Sequence, residues 1–305
     1  MRWEKIKNIF CPNGHFDWMN SHASNPFAEY IENGVYRVYF TCRDSCNRSH
    51  IGFVDVNFDE EFKIVNISNE PVLQPGELGL FDDSGVAMGC ILNFKGRKFL
   101  YYLGWNLKVT VPWMNTIGIA EYDFINKKFV KCSLVPVMDR SDEDPYSISY
   151  PFILEENDIL TMWYGSNTKW GSDQSEMNHV IKIAHSFDAK NWFRSNKIAV
   201  NLKYENEYAL SKPFVLKEKN IYKMWYSYRG NKHINTYRIG YAESLNGIEW
   251  ERKDDIAGID ISKYGWDSVS IEYPYILDYK NKRYMLYNGD NYGETGFGIA
   301  VLKDN

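Results

Sequence analysis

This sequence has no unbroken apolar run long enough to cross a bilayer, although 44% of its residues are apolar. Its first residues, Met1-Arg2-Trp3-Glu4-Lys5, lack the apolar core of a secretory leader. Cysteine is sparse. The five present (Cys11, Cys42, Cys46, Cys90, Cys132) are scattered and odd in number, which predicts free thiols in a cytoplasmic protein. Cys42 and Cys46 have no second Cys or His pair at zinc spacing, so neither a metal nor a cofactor is expected. An excess of charge of one sign is missing too. Lys and Arg alternate with Asp and Glu, the net charge is −5, and no basic stripe offers itself to nucleic acid or an anionic membrane. Helical periodicity and low-complexity linkers are also absent.

What is abundant is aromatic. Ten Trp, 23 Tyr and 17 Phe make 16% of the chain, which suits pleated sheets and also suits a cleft that stacks on sugar rings. The aromatics fall into a repeat. Tyr36-Arg-Val-Tyr-Phe40, Lys98-Phe-Leu-Tyr-Tyr102, Leu160-Thr-Met-Trp-Tyr164, Tyr222-Lys-Met-Trp-Tyr226 and Arg283-Tyr-Met-Leu-Tyr287 end at 40, 102, 164, 226 and 287, steps of 62, 62, 62 and 61. Four of the five are preceded by a Pro-aromatic pair: Pro26-Phe27, Pro151-Phe152, Pro213-Phe214 and Pro274-Tyr275. The two runs with a turn between them form a β-hairpin. A third strand follows each phrase, at Ile51, Ile117, Ile181, Ile239 and Phe297, and in most repeats a fourth.

The last repeat ends without its fourth strand, and Trp3–Phe10 has the pattern that it lacks. Pairing the two would cover exposed strand edges. The expected fold is therefore all-β: a single five-bladed β-propeller over 1–305, closed by the N-terminal strand. Its blades would lie at approximately 11–75, 76–140, 141–203, 204–263, and 264–305 plus 1–10.

In such a ring the first strands begin, and the second strands end, at one mouth. The first group brings His22, Asn25, Tyr150, Lys212, Glu272 and Tyr273 there, and the second brings Arg43, Asp44, Trp105, Asn288 and Asp290. A concave, polar, aromatic-rimmed mouth is the expected binding site.

Five hairpins with Pro on the innermost strand resemble the five-bladed glycoside hydrolase propellers, namely families 43, 32 and 130. Phrases such as Met224-Trp225-Tyr226, Ser186-Phe187-Asp188 and Tyr237–Ala242 are similar to members found near bacterial surface-polysaccharide genes. The resemblance implies a carbohydrate-active enzyme, but the carboxylates usual in families 43 and 32 are replaced. Their positions hold Asn25, Ala87-Met88 and Ser149-Tyr150. Family 130 has an acidic, Gly-containing run near Phe81-Asp82-Asp83-Ser84-Gly85-Val86, although its following Glu-Asp-Pro-Arg is missing here.

Glycoside cleavage needs one acid to protonate the leaving oxygen and a second carboxylate to activate water or attack the sugar. Asp83 and Glu272 are the expected pair, with Asp44 and Glu207 in reserve. Each also has a structural reading: Asp82 and Asp83 as turn formers, Glu272 as a buried hydrogen-bond partner, Glu207 on a loop pointing away, and Arg43-Asp44 as an internal ion pair. His22, Asn25, Arg43, Trp105, Tyr150, Lys212, Tyr273, Asn288 and Asp290 are the expected ligand contacts, with Trp170 a further stacking candidate. The expected partner is a carbohydrate, with no nucleic acid and no membrane insertion. Two alternatives stay open: a non-catalytic glycan-binding propeller, and a lyase or isomerase of a nucleotide-linked sugar with His22 or Lys212 as base.

Overall fold

The computed structural model describes residues 1–170, 177–230 and 236–303. Among them are twenty strands in five antiparallel units. The first unit is β2 (Ser21–Glu32), β3 (Val35–Arg43), β4 (Ser49–Asn57) and β5 (Lys63–Ile67), and the second is β6 (Gly85–Phe94), β7 (Arg97–Leu107), β8 (Trp113–Asp123) and β9 (Lys128–Lys131). The third is β10 (Ile148–Glu156), β11 (Ile159–Lys169), β12 (Asn178–Ser186) and β13 (Phe193–Val200), and the fourth is β14 (Ala209–Glu218), β15 (Ile221–Arg229), β16 (Arg238–Ser244) and β17 (Glu251–Arg252). The fifth combines β18 (Glu272–Tyr279), β19 (Lys282–Asn288) and β20 (Phe297–Leu302) with β1 (Trp3–Phe10) from the other end of the chain. No helix among the described residues is long and apolar enough to cross a membrane.

First strands neighbour one another in succession: β2 beside β6, β6 beside β10, β10 beside β14, β14 beside β18, and β18 beside β2. The aromatics after the prolines carry part of this contact. Phe152 lies 4.8 Å from Phe214, Phe214 5.0 Å from Tyr275, and Tyr275 4.6 Å from Phe27, measured between ring centres. Middle strands are covered on both faces by the units beside them, so Trp163, Trp225, Tyr101, Tyr164 and Tyr226 are fully buried. The high aromatic content is largely this filling, where big flat side chains bury the most area.

A polar brace recurs in four units. Tyr102 Oη donates to Asp82 (3.1 Å), Tyr164 to Asp144 (2.7 Å) and Tyr287 to Asp267 (2.9 Å), each acid lying 20 residues before its tyrosine. A cation from the unit's outer strand completes each brace: Lys131 on Asp82 (2.6 Å), Arg194 on Asp144 (3.2 Å) and Lys5 on Asp267 (2.7 Å). In the fourth unit Arg252 holds both Glu207 and Asp254 at 2.7 Å, and Tyr226 donates to Asp254 (2.5 Å). The first unit has Phe40 in place of the tyrosine and Asn20 in place of the acid. The brace ties the segment that leads into the first strand to the second and outer strands of the unit, and buried carboxylates persist only when satisfied in this way. Tyr164→Phe is accordingly expected to cost about 1.5–3 kcal/mol, the value of one hydrogen bond to a charged group. Urea unfolding measures it, and an unchanged midpoint would show the brace to be incidental.

Candidate functional site

One local device shapes the inner strands. Each first strand has a register shift, between Ser24 and Phe27, Met88 and Cys90, Ser149 and Phe152, Ser211 and Phe214, and Glu272 and Tyr275. The residue before each proline has a left-handed backbone: Asn25 (φ 54°), Tyr150 (42°), Lys212 (51°) and Tyr273 (57°). The proline ring disfavours the right-handed helical conformation of the residue before it, and the bulge re-aims that residue's side chain. Bulky residues adopt this conformation only at a cost of about 1–3 kcal/mol each, and such residues cluster at functional sites. Gly89 stands where the other units have proline, and a Cβ there would lie 2.5 Å from the Tyr101 carbonyl oxygen.

The bulges border a cavity of about 370 Å³, within the ~300–1,000 Å³ usual for small-molecule sites. Of the residues expected there, His22, Asn25, Arg43, Trp105, Tyr150 and Tyr273 line it. The backbone N–H of Asn25 donates to Asn288 Oδ1 (3.3 Å), and its amide nitrogen reaches Ser24 and Thr41. His22 Nδ1 is 2.9 Å from Ser21 Oγ, and burial, with Arg43 nearby, lowers its pKa to about 4. Arg43 donates to Asn47 Oδ1 (2.8 Å), and Trp105 Nε1 to Ser49 Oγ (2.7 Å). The Tyr150 and Tyr273 rings lie 5.2 Å apart.

The structure separates the expected acid pair. Asp83 is not on the cavity wall. It closes a turn, accepting from the Gly79 N–H (2.9 Å), Ser84 Oγ (3.0 Å) and Asn106 (3.3 Å). Burial raises its pKa, but these donors and Lys108 outweigh it and hold the carboxyl below its ordinary value. Asp44 is likewise off the wall. It accepts from the backbone of Cys46 and Arg48 and from the side chains of Arg48 and His50, and these hold it ionised against its burial. Its partners are therefore Arg48 and His50, not Arg43. Glu207 is consumed by the Arg252 brace.

Glu272 lies behind the wall, 2% exposed, taking the place that Ser24, Ser149 and Ser211 hold in other units. Its Oε1 accepts from Ser270 Oγ (2.9 Å) and the Tyr292 N–H (3.2 Å). Its Oε2 makes no hydrogen bond, although the Asn288 amide is close enough to ease its charge. Burial raises its pKa to about 7, with Ser270 and the Tyr292 N–H opposing.

Three other expected contacts also lie off the wall. Lys212 is buried and donates to the carbonyls of Met88 (3.1 Å) and Gly89 (2.5 Å) across the ring, and burial lowers its pKa to about 8. Its Nζ faces these carbonyls and not the cavity, so it is not placed to act as a base on a ligand. Asn288 is fully buried, and Asp290 accepts from the backbone of Val269 (2.8 Å) and Ser270 (2.9 Å) to fix the turn before β20.

The wall also holds residues that the sequence reading passed over: Ser49, Trp113, Asn115, His179, Tyr237 and Tyr292. Ser49, Trp113, Asn115, His179 and Tyr237 lie within two residues of the start of a third strand, and Tyr292 lies in the turn that leads into β20. In an antiparallel sheet that start adjoins the second strand's end, so Arg43 pairs with Ser49, Trp105 with Asn115 and Asn167 with His179. The topology was sufficient to find them. Trp170, the further stacking candidate, packs edge-on against Trp113 at 5.3 Å. His179 is 8% exposed, both ring nitrogens lack partners, and burial, with Arg229 beside it, lowers its pKa to about 3. Asn25 Oδ1 and Ser149 Oγ are likewise buried and unpartnered.

Solved structures share this arrangement of strands. A glycosyl hydrolase from Bacteroides ovatus superposes with a TM-score of 0.72 at 16% identity, covering 99% of this chain and 93% of that one. A structure from the GH130 family of mannoside phosphorylases, which contains glycoside hydrolases that target β-1,2 mannosidic linkages in Candida mannan, gives 0.73 at 15%, covering 99% and 93%. The fold is that of these glycoside hydrolases. No family model matches the chain. The chain belongs to the family of the uncharacterized protein Rv1502 of Mycobacterium tuberculosis, with which it is 43% identical over 304 residues, 100% of both chains.

Proposed function

We propose that the five units are the blades of one five-bladed propeller over residues 1–305, and that its central cavity binds a carbohydrate. The succession of first strands, including β18 beside β2, and the pairing of β1 with β20 support the ring. One observation carries the carbohydrate reading: the buried, unpartnered polar atoms of Asn25, Ser149 and His179 on a wall that also presents aromatic rings. Buried polar groups without partners are rare in a native protein, and a ligand that supplies the partners explains them. A sugar offers hydroxyls that donate and accept, on a ring whose faces stack on Trp and Tyr. With its pKa near 3, His179 stays neutral and can both donate to and accept from hydroxyls.

Glycan-array binding followed by calorimetry tests this. His179→Ala is expected to weaken the best-bound glycan about tenfold, one hydrogen bond's worth. Absence of any glycan binding, or an unaffected His179→Ala variant, would sink the reading.

Glycosidic-bond cleavage is a second reading, favoured by Glu272. A general acid must hold a proton near working pH, and this carboxyl, raised to about 7 behind Tyr273 and Tyr292, does so. Paired-carboxylate hydrolysis would need a second carboxylate acting with Glu272. Turnover of the bound glycan that Glu272→Gln abolishes would establish cleavage; binding with no turnover leaves the protein a glycan binder.

A further inference from the structure

The chain as a whole is acidic, with a net charge of −5, yet the described wall of its cavity is not. Two guanidinium groups, Arg43 and Arg229, face it, and no Asp or Glu is among its described lining residues. Of the described acids nearby, Asp44 is held by Arg48 and His50, Glu207 by Arg252, and Glu272 keeps its proton behind the wall at pH below about 7, while Glu294, exposed and close enough to act on His22, accepts a hydrogen bond from Asn291. Arg43 is half-buried, gives one hydrogen bond to Asn47, and has no carboxylate within 4.0 Å among the described residues. Arg229 is held over the Tyr237 ring (4.5 Å) and donates to Tyr292 Oη (2.7 Å). Beneath the wall, Lys212 adds a third positive charge, bonded only to carbonyls. A concave wall that presents guanidinium groups and, among its described residues, no carboxylate focuses an attractive potential on anions.

We propose that the ligand is an acidic carbohydrate: a sugar bearing a carboxylate or a phosphate ester, with that anionic group bound at Arg43. The proposal rests on the carbohydrate reading and adds the charge. Arginine's planar fork matches both oxyanions, and the Asn47 contact uses one of its five N–H donors. The neutral histidines and the Asn25 and Ser149 oxygens then serve the hydroxyls, and Arg43 serves the charge.

The test uses matched oligosaccharides on an array and in calorimetry: neutral, uronate-containing and phosphorylated, with inorganic phosphate as a fourth probe. An acidic member is expected to bind at least tenfold more tightly than its neutral match in low salt. The preference should shrink in 0.5 M salt, where charges are screened beyond a few ångströms. Arg43→Gln is expected to lower that acidic-to-neutral ratio about tenfold or more, and Arg43→Lys to lower it less, because charge remains but the fork is lost. Preference for the uronate assigns a carboxylate, and preference for the phosphorylated member assigns a phosphate ester. Equal binding of neutral and acidic members would overturn the charge assignment and leave the carbohydrate reading standing. Binding of inorganic phosphate with no preference among sugars would also overturn it. Failure of every sugar to bind would overturn both readings. Should Arg43→Gln not fold, the Arg43→Lys ratio and the salt dependence decide.

Discussion

A chain lacking residues 1–10 is expected to lose most or all of its folding stability. These residues are the outer strand of the fifth unit, paired along β20 from Trp3 opposite Leu302 to Phe10 opposite Phe297. Trp3, Ile9 and Phe10 are buried at 6%, 9% and 5% exposure. At about 1.5–3 kcal/mol for each buried apolar side chain, their loss removes roughly 5–9 kcal/mol. That rivals the ~5–15 kcal/mol that holds a typical domain together. Phe10 also packs 5.1 Å from Phe40 of the first unit and 6.4 Å from Phe297, so the truncation opens the seam between first and last units. It strips Lys5 from the buried Asp267 as well, leaving that carboxylate with the Tyr287 hydroxyl. The exposed edge of β20 would then be open to pairing with other molecules. Thermal and urea unfolding of the truncated protein measure the loss; an unchanged midpoint would show that the strand contributes nothing to the fold.

Glu272→Gln is expected to act in the opposite direction, stabilising the protein by about 3 kcal/mol at pH 8.5. Burial raises this carboxyl from 4.5 to about 7 in the folded protein. Between those values the folded state holds a proton that the unfolded chain has released, so stability falls as pH rises from about 4.5 to 7. Above pH 7 the full cost of a buried charge is present, about 1.4 kcal/mol for every tenfold change in proton affinity. Glutamine keeps an acceptor for Ser270 Oγ and the Tyr292 N–H and cannot ionise. The gain should therefore vanish below pH 4.5. Unfolding free energies at pH 4, 6 and 8.5 for both proteins check it. Destabilisation at every pH would make Glu272 another brace of the Asp144 kind and end its candidacy as a proton donor. A residue retained at a stability cost is the usual mark of a functional one.

The strand order was legible in the sequence because it is local. A step of 62 residues in the aromatic phrases implies one sheet unit per step, and the Trp3–Phe10 pattern supplies the strand missing at the other end. The prolines located the inner strands, and with them Asn25, Tyr150 and Tyr273 on the cavity wall. The 20-residue spacing of Asp82, Asp144 and Asp267 from Tyr102, Tyr164 and Tyr287 went unread, and only the structure shows these carboxylates serving the sheet.

Which acid is left for chemistry was a tertiary decision. A carboxylate's role depends on the cation that reaches it. Lys131 comes to Asp82 from 49 residues away, Arg194 to Asp144 from 50, and Arg252 to Glu207 from 45, each along an outer strand. Asp83 and Asp82 are adjacent in sequence, yet one closes a turn and the other braces a sheet. Glu272 differs because it is buried with its Oε2 unpartnered, so burial raises its hold on the proton. Sequence determined where the strands run. Only the packing of strand on strand decided which charges are neutralised and which are left facing the cavity, because charge compensation acts through a few ångströms of space and not along the chain.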